Sequence, residues 1–477
     1  MVENTRLTPE QRWTLLLTAL ASFMVSLDAL VVATALPTIR ADLHASVAGL
    51  GWTVNAFTLG FAVCVLTGAA LGDRFGRRRI FIAGLALFTA ASALCALSPT
   101  ISILIMARAI QGIGGGLAMP LALVILNAGF PPARRGMAVG VWGAISGGAV
   151  ASGPLVGGAI IQWLAWQWIF WLNVPIGIAV CLLSRSHIRE SIGPPRRLDL
   201  PGLVLATAAI CGLADGLIRG NEVGWTSAEV VGAFAIGALG LIAFLGWERR
   251  SPTPMLPLDL FRNASFSASC AAGFMLLAGL LGGTFLLVQY LQFVLGNGPL
   301  GVGVRLLPWT GGVIVLAPLA GRLADRLGER PFVVGGLVLT AVGFGTIALR
   351  ATDGSGYGAL FPPLLVAGFG VAIAIPTASS AMLRSVTREQ AGIASGAFIT
   401  LRQIGGVFGV AVVAWLFTSK GGYDTPTHFV AGLRPAMLSV AALSLVGAVA
   451  ALAICTRPLA AATAPAIVEA ELVGAVE

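Results

Sequence analysis

The chain has 477 residues, of which 57% are hydrophobic and 10% charged, with a formal net charge of +9 and a mean hydropathy of +0.92. No soluble core holds that much apolar surface, and apolar runs of about 18 residues or more recur throughout, so the sequence reads as a polytopic, all-α membrane protein. Membrane β-strands would be about ten residues of alternating polarity, a pattern the chain lacks.

Taken between polar breaks, fourteen candidate helices lie at 13–36, 47–71, 80–97, 101–127, 137–162, 167–184, 199–218 and 228–246, then at 266–294, 302–321, 331–349, 359–383, 391–418 and 435–456. At about 1.5 Å per residue they match a hydrocarbon core of about 30 Å. With the N-terminus in the cytosol, twenty-one of the 29 Lys and Arg residues fall in cytosolic loops and five on the other side; Arg108, Arg305 and Arg402 fall inside apolar segments. This positive-inside bias places both ends in the cytosol. It also turns the positive charge into an orientation signal and leaves no nucleic-acid partner to expect. The first run carries Asp28 and follows acidic as well as basic residues, so it is expected to remain as a span rather than be cleaved as a signal peptide.

Chemistry that needs a cofactor finds no footing. The six cysteines all lie in apolar segments without a CxxC spacing and read as small packing residues. His44, His187 and His428 lie in loops, there is no GxxxxGK[ST] phosphate loop, and Lys420 is the sole lysine. No metal and no cofactor are expected, and energy is expected from an ion gradient.

Between the second and third helices stands Gly72-Asp73-Arg74-Phe75-Gly76-Arg77-Arg78-Arg79, which returns as Ala324-Asp325-Arg326-Leu327-Gly328-Glu329-Arg330. Two related halves predict a pathway between them, and hence transport. The interval between the copies is longer than one six-helix block. The excess is a helix pair at 199–218 and 228–246, followed by a linker with Pro252, Pro254 and Pro257. The expected organisation is a six-helix bundle at 1–198, two inserted helices and linker at 199–263, a second six-helix bundle at 264–458 and a cytosolic tail at 459–477. Gly76 and Gly328 suit tight reversals. Asp73, Arg74, Arg77, Asp325 and Arg326 are expected to latch the cytosolic side during gating, the second copy more weakly because Glu329 stands where the first has a basic residue.

Several further motifs carry a family resemblance: Leu27-Asp28-Ala29-Leu30-Val31-Val32-Ala33-Thr34-Ala35-Leu36-Pro37 in the first helix, Arg108-Ala109-Ile110-Gln111-Gly112-Ile113-Gly114 in the fourth, and Gly153-Pro154-Leu155-Val156-Gly157-Gly158 in the fifth. Trp166 to Pro175 and Leu401-Arg402-Gln403-Ile404-Gly405-Gly406 extend it over most of the chain. With the repeated hinge, the sequence resembles a major facilitator superfamily transporter, and within it the fourteen-helix drug:proton antiporter group (the EmrB/QacA type). It departs from the hinge pattern at Ala69, where the family usually has Gly. The resemblance implies that the Gly-Pro motif (Gly147, Gly153, Pro154, Gly157, Gly158) marks an exporter.

Asp28 lies about 22 Å along its helix, well inside the apolar span. An embedded carboxylate must be paired, protonated or hydrated, and Arg108 is the natural partner. The residues alone fit either a proton-coupling pair or a static ion pair; the resemblance implies coupling. Asp215, near one end of an inserted helix, can reach interfacial water. Arg305 and Arg402 either line the path or anchor helix ends. The fold the family shares nominates Met24, Trp52, Asn55, Phe57, Gln111, Phe285, Gln289, Tyr290 and Gln292 as the cavity wall. The expected protein is a monomeric exporter in the inner (plasma) membrane, exchanging lipophilic, cationic small molecules for protons. The alternative is a dedicated exporter of an endogenous antibiotic or pigment.

Overall fold

A computed structural model describes residues 7–192, 199–252, 254, 256, 258–387 and 390–455. The expected tail at 459–477, the contacts of Gly147 and the side chain of Asp325 lie outside the described residues. The described chain forms α1 (Pro9–Leu43), α2 (Val47–Phe75), α3 (Arg77–Ala96), α4 (Ile101–Gly129), α5 (Pro132–Trp163), α6 (Trp168–Trp171), α7 (Asn173–His187), α8 (Leu200–Val223) and α9 (Ala228–Glu248). After a 3-10 turn at Leu258–Arg262 come α10 (Ala264–Phe293), α11 (Pro299–Leu327), α12 (Arg330–Arg350), α13 (Tyr357–Arg384), α14 (Ala391–Lys420) and α15 (Pro426–Ala451). Among the described residues twelve segments are long and apolar enough to cross a membrane, Trp168–His187 counting as one, so the protein is a multi-pass membrane protein. The two long helices outside that count, α5 and α11, have 32 and 29 residues.

Helices overrun the apolar segments because polar caps set their ends. The α1 helix begins at Pro9, where Thr8 and Gln11 exchange side-chain-to-backbone hydrogen bonds in a capping box. It continues past Pro37 to Leu43, and His44 closes it in the left-handed conformation with φ 49°. The expected glycine reversals are present. Gly76 has φ 106° between α2 and α3, and Gly328 has φ 86° after α11, conformations open to a residue without a Cβ.

Helices α1–α7 pack among themselves, α2 and α3 against α4 and α1 against α5. Helices α10–α15 form a second bundle, with α10 against α14 and α12 against α13 and α15. The α8–α9 pair packs backbone to backbone, since a Cβ at Gly212 would sit 2.6 Å from Gly237 N. Its α8 helix covers the seam between α2 and α14 through Trp52, Leu59 and Val407, while Val231, Ile236, Leu239 and Ile242 of α9 are exposed.

Glu10, Arg77–Arg79 and Arg189 mark one end of the first bundle, here termed the basic face, where Glu10 pairs with Arg189 at 2.7 Å. The two bundles meet on the opposite half. A Cβ at Gly158 of α5 would stand 2.4 Å from the Pro299 carbonyl of α11, and one at Gly303 would stand 2.4 Å from the Pro154 carbonyl. Helical phase returns Gly143 to within about 20° of the Pro154 direction and Gly321 to that of Gly303. Yet among the described residues side chains at Gly143 and Gly321 would meet nothing within 4 Å. Thus α5 and α11 touch on the half away from the basic face and splay toward it.

Candidate functional site

Small residues bring α2 and α4 into backbone contact: a Cβ at Gly112 would lie 2.1 Å from the Phe57 carbonyl, and one at Gly60 would lie 2.5 Å from the Ala109 carbonyl. That approach delivers Arg108 of α4 across α2. Its Nε donates to the Thr53 carbonyl at 3.2 Å, and its guanidinium carbon lies 4.3 Å from the centre of the Phe57 ring. The same guanidinium donates through one nitrogen to Asp28 Oδ2 at 2.5 Å and to Gln111 Oε1 at 2.6 Å. Gln111 Nε2 then donates to Asp28 Oδ1 at 2.9 Å and to Ser92 Oγ at 2.8 Å.

Asn173 completes the cluster, its Nδ2 donating to Asp28 Oδ1 at 2.8 Å. Pro175 lacks the N–H that would bond back to Trp171, and the chain restarts as α7 at Asn173, which points its amide into the bundle. Asp28, Arg108, Gln111, Asn173 and Ser92 are all buried, at 3% exposure or less. The carboxylate therefore receives three donors and one full counter-charge, the condition under which a buried ion is tolerated.

The structure brings together Asp28 and Arg108, expected as a pair, with Phe57 and Gln111, expected in the cavity wall, and with Asn173, Ser92 and the Thr53 carbonyl, which the sequence did not single out. Asn173 lies in the Trp166–Pro175 stretch, and a lone amide in an apolar run signals a buried partner. Several nominated wall residues lie elsewhere. Gln111 belongs to the ion network. Met24 is packed in the first bundle, in the apolar cluster that holds Phe61 and Phe88. Trp52 turns to α8 and α14, against Ala411 and Leu217. Phe285 is buried in the apolar core, and the Tyr290 hydroxyl bonds the Thr352 carbonyl at 2.9 Å inside the second bundle. Asn55 is fully buried with both amide atoms lacking a partner.

Gln289 and Gln292 instead help close the mouth away from the basic face. Gln292 Nε2 donates to the Thr34 carbonyl of the first bundle at 3.1 Å. The Tyr423 hydroxyl donates to Gln289 Oε1. Burial raises the Tyr423 pKa above the ordinary phenol value, although Arg40 opposes this, so the hydroxyl stays a donor. Arg40, His44, Gln289, Gln292, Phe293 and Tyr423 line a cavity of about 620 Å³ there.

At the hinges, Asp73 pairs with Arg77 four residues on at 2.8 Å, and exposed Arg74 lies over its neighbour Phe75. Exposed Arg326 lies near the end of α11. Glu329 is buried at 3% exposure, pairs with Arg384 Nε at 2.6 Å and accepts from Ser380 at 3.1 Å. Its replacement of a basic residue installs an ion pair of its own. Asp215 is half-buried in α8. The Arg305 side chain bonds the Gly301 carbonyl one turn back at 3.2 Å and lies 5.4 Å from the centre of the Tyr357 ring, and the Tyr357 hydroxyl donates to the Arg305 carbonyl at 2.8 Å.

The chain is 35% identical over 412 residues to the tetracenomycin C resistance and export protein of Streptomyces glaucescens, covering 86% of this chain and 76% of that one. It is 35% identical to the multidrug resistance protein Stp of Mycobacterium tuberculosis (strain CDC 1551 / Oshkosh), covering 85% and 76%. The solved structure of a D-xylose–proton symporter superposes with a TM-score of 0.66 over 92% of this chain and 96% of that one, at 16% identity, a likeness of fold alone. Residues 18–410 and 307–475 match the family profile described as Major Facilitator Superfamily. With two helical bundles, a seam between them and a buried ion network in the first, the chain belongs to the Major Facilitator Superfamily of membrane transporters.

Proposed function

We propose that the protein is a proton-coupled exporter of lipophilic small molecules that works by alternating access, as a monomer in the inner (plasma) membrane with both ends cytoplasmic. The observation that carries this reading is Asp28: one embedded carboxylate, fully buried, held by Arg108, Gln111 and Asn173. The arrangement we propose is fourteen spans, six (1–198), two (199–263) and six (264–458), with α5 and α11 among them. The basic face is then cytosolic, and the splay of α5 from α11 is an inward-facing state that can load from the cytosol.

A proton on Asp28 cancels the charge that Arg108 neutralises and weakens the bond between them. Arg108 keeps the Thr53 carbonyl and the Phe57 ring. Phe57 belongs to the cluster on which Ile399 of α14 rests, so a change at Arg108 reaches the seam between the bundles. All donors to Asp28 come from the first bundle, so coupling acts through that bundle's shape. The expectation of cationic substrates is not carried forward, since the carboxylate that would attract them is already compensated.

Relatives named for resistance and export support efflux as the direction. One is named for a single antibiotic, and this favours the second reading, a dedicated exporter of one compound class. Everted vesicles test both. A panel of lipophilic compounds should release protons with the wild type and not with Asp28→Asn. Full proton release by Asp28→Asn would remove Asp28 from coupling, and a response to one compound class alone would favour the dedicated exporter.

A further inference from the structure

The cavity of about 620 Å³ at the mouth away from the basic face takes its walls from both bundles. The end of α1 contributes Pro37, Arg40, Ala41 and His44, the end of α10 contributes Gln292 and Phe293, and Tyr423 stands before α15. A space of this size suits a small molecule. Arg40 lies about 18 Å beyond Asp28 along α1, past the apolar run, so the cavity sits at the water-facing end of the helix.

The charge of this cavity is one-sided, because no aspartate or glutamate lines it. The two carboxylates nearest in sequence are engaged elsewhere: Asp42 accepts from Trp166 Nε1 at 2.7 Å, and Asp424 is bonded to His428. Arg40 instead lies over the Tyr423 ring, and among the described residues its Nε is buried without a hydrogen-bond partner. A ring face offers a cation partial charge but takes up none of the in-plane N–H groups of a guanidinium. Beside it, His44 has φ 49°, a conformation that glycine would adopt without strain. That strain sets an imidazole on the cavity wall. Gln292 gives the Thr34 carbonyl one hydrogen of its amide nitrogen and keeps the second. Phe293, packed edge-on against Tyr423 with ring centres 5.6 Å apart, makes an apolar wall with Pro37 and Ala41.

We propose that this cavity is a binding site for a carboxylate carried on an apolar ring, with Arg40 as its counter-charge, His44 and Gln292 as hydrogen-bond donors and Phe293 against the ring. A guanidinium pairs with carboxylate in a two-pronged geometry that an ammonium lacks. Because α1 belongs to one bundle and α10 to the other, the site is complete only while this mouth is closed, and a bound acid favours the closed mouth. The acid is either the exported molecule on its way out or one that arrives from outside; the chemistry of recognition is the same. The site goes beyond the exporter reading, since binding requires no transport.

The test is equilibrium dialysis of the full chain in nanodiscs, corrected for empty nanodiscs, against three probes of one ring shape: anionic naphthoate, neutral naphthamide and a cationic naphthylmethylammonium. Wild type should bind naphthoate most tightly. Arg40→Gln should raise its Kd about tenfold, the loss of one charge-assisted contact, with naphthamide unaffected. Arg40→Lys should recover part of the loss. His44→Gly relieves the backbone and removes one donor, so it should weaken naphthoate a few-fold without lowering the melting temperature. Uptake of labelled naphthoate by everted vesicles would assign the site to the exported molecule, and binding without uptake to an acid from outside. No saturable naphthoate binding by the wild type, preference for the ammonium, or an equal loss of acid and amide in Arg40→Gln would overturn the site. None of those three results bears on proton-coupled export, which fails only in the vesicle assay with Asp28→Asn.

Discussion

The guanidinium carbon of Arg40 lies 3.6 Å from the centre of the Tyr423 ring, and the two residues belong to different bundles. With the Gln292–Thr34 bond, the contact ties the end of α1 to the second bundle at the mouth away from the basic face. A cation–π contact of this kind contributes about 1 kcal/mol, enough for roughly a fivefold population shift. Arg40→Ala should therefore open this mouth more often. The check is the rate at which an impermeant maleimide labels Gln292→Cys, in a background without exposed Cys455. Tyr423→Phe keeps the ring and loses only the bond to Gln289, so it should move the rate less. An unchanged labelling rate in Arg40→Ala would remove the contact from gating.

The Asp28–Arg108 pair predicts strong non-additivity. Removing either partner leaves an unpaired charge in the bundle interior and should lower stability by about 3–5 kcal/mol. Asp28→Ala with Arg108→Met removes both charges, so the double variant should lose much less than the two single losses together. Thermal unfolding in nanodiscs reads this directly. Additive losses would mean that the carboxylate and guanidinium do not depend on each other.

How far the sequence reached differs between fold and site for a physical reason. The multi-pass, all-helical character was legible because length and hydropathy act on each segment separately. Asp28 and Arg108 were legible because an embedded charge is conspicuous wherever it points. The wall residues were not, since facing is decided by packing. Met24, Trp52 and Tyr290 are as apolar or amphipathic as a cavity lining, and only the close approach of α2 to α4, or of α8 to the seam, fixes where each points. Asn173 escaped because an amide carries no charge to mark it, and its bond reaches 145 residues back to Asp28. Glu329 was read as a lost basic residue because its partner, Arg384, lies a full helix pair away.

That pair reverses the expected ranking of the two hinges for stability. Asp73 and Arg77 are partly exposed, and such a pair contributes about 0.2–1 kcal/mol. The Glu329 carboxylate is buried and engages both Arg384 and Ser380, so Glu329→Gln should lower stability by about 2–3 kcal/mol. Asp73→Asn should leave the melting temperature nearly unchanged. For turnover the proposal stays that Asp73→Asn impairs transport more than Asp325→Asn. Thermal unfolding and vesicle transport of the same variants separate the two effects. A larger loss of stability in Asp73→Asn than in Glu329→Gln would contradict the burial argument.

The α5–α11 pair offers the sharpest test of alternating access, because two glycines of α5, Gly143 and Gly158, are in opposite surroundings. A Cβ at Gly158 would meet the Pro299 carbonyl at 2.4 Å, whereas one at Gly143 would meet nothing within 4 Å among the described residues. Gly158→Val should force the helices apart where they now touch and disfavour the state described here. Gly143→Val should be accommodated in this state, yet if α5 and α11 close on the basic face during the cycle, its side chain would stand in the contact. Both variants should then slow transport, about tenfold for a shift near 1.4 kcal/mol, while moving the conformational balance in opposite directions. Spin labels on α5 and α11 near the basic face would read this as a shorter mean distance in Gly158→Val and a longer one in Gly143→Val. If both variants moved that distance the same way, the splayed end would not be a closing gate, and α5 and α11 would act as a fixed scaffold.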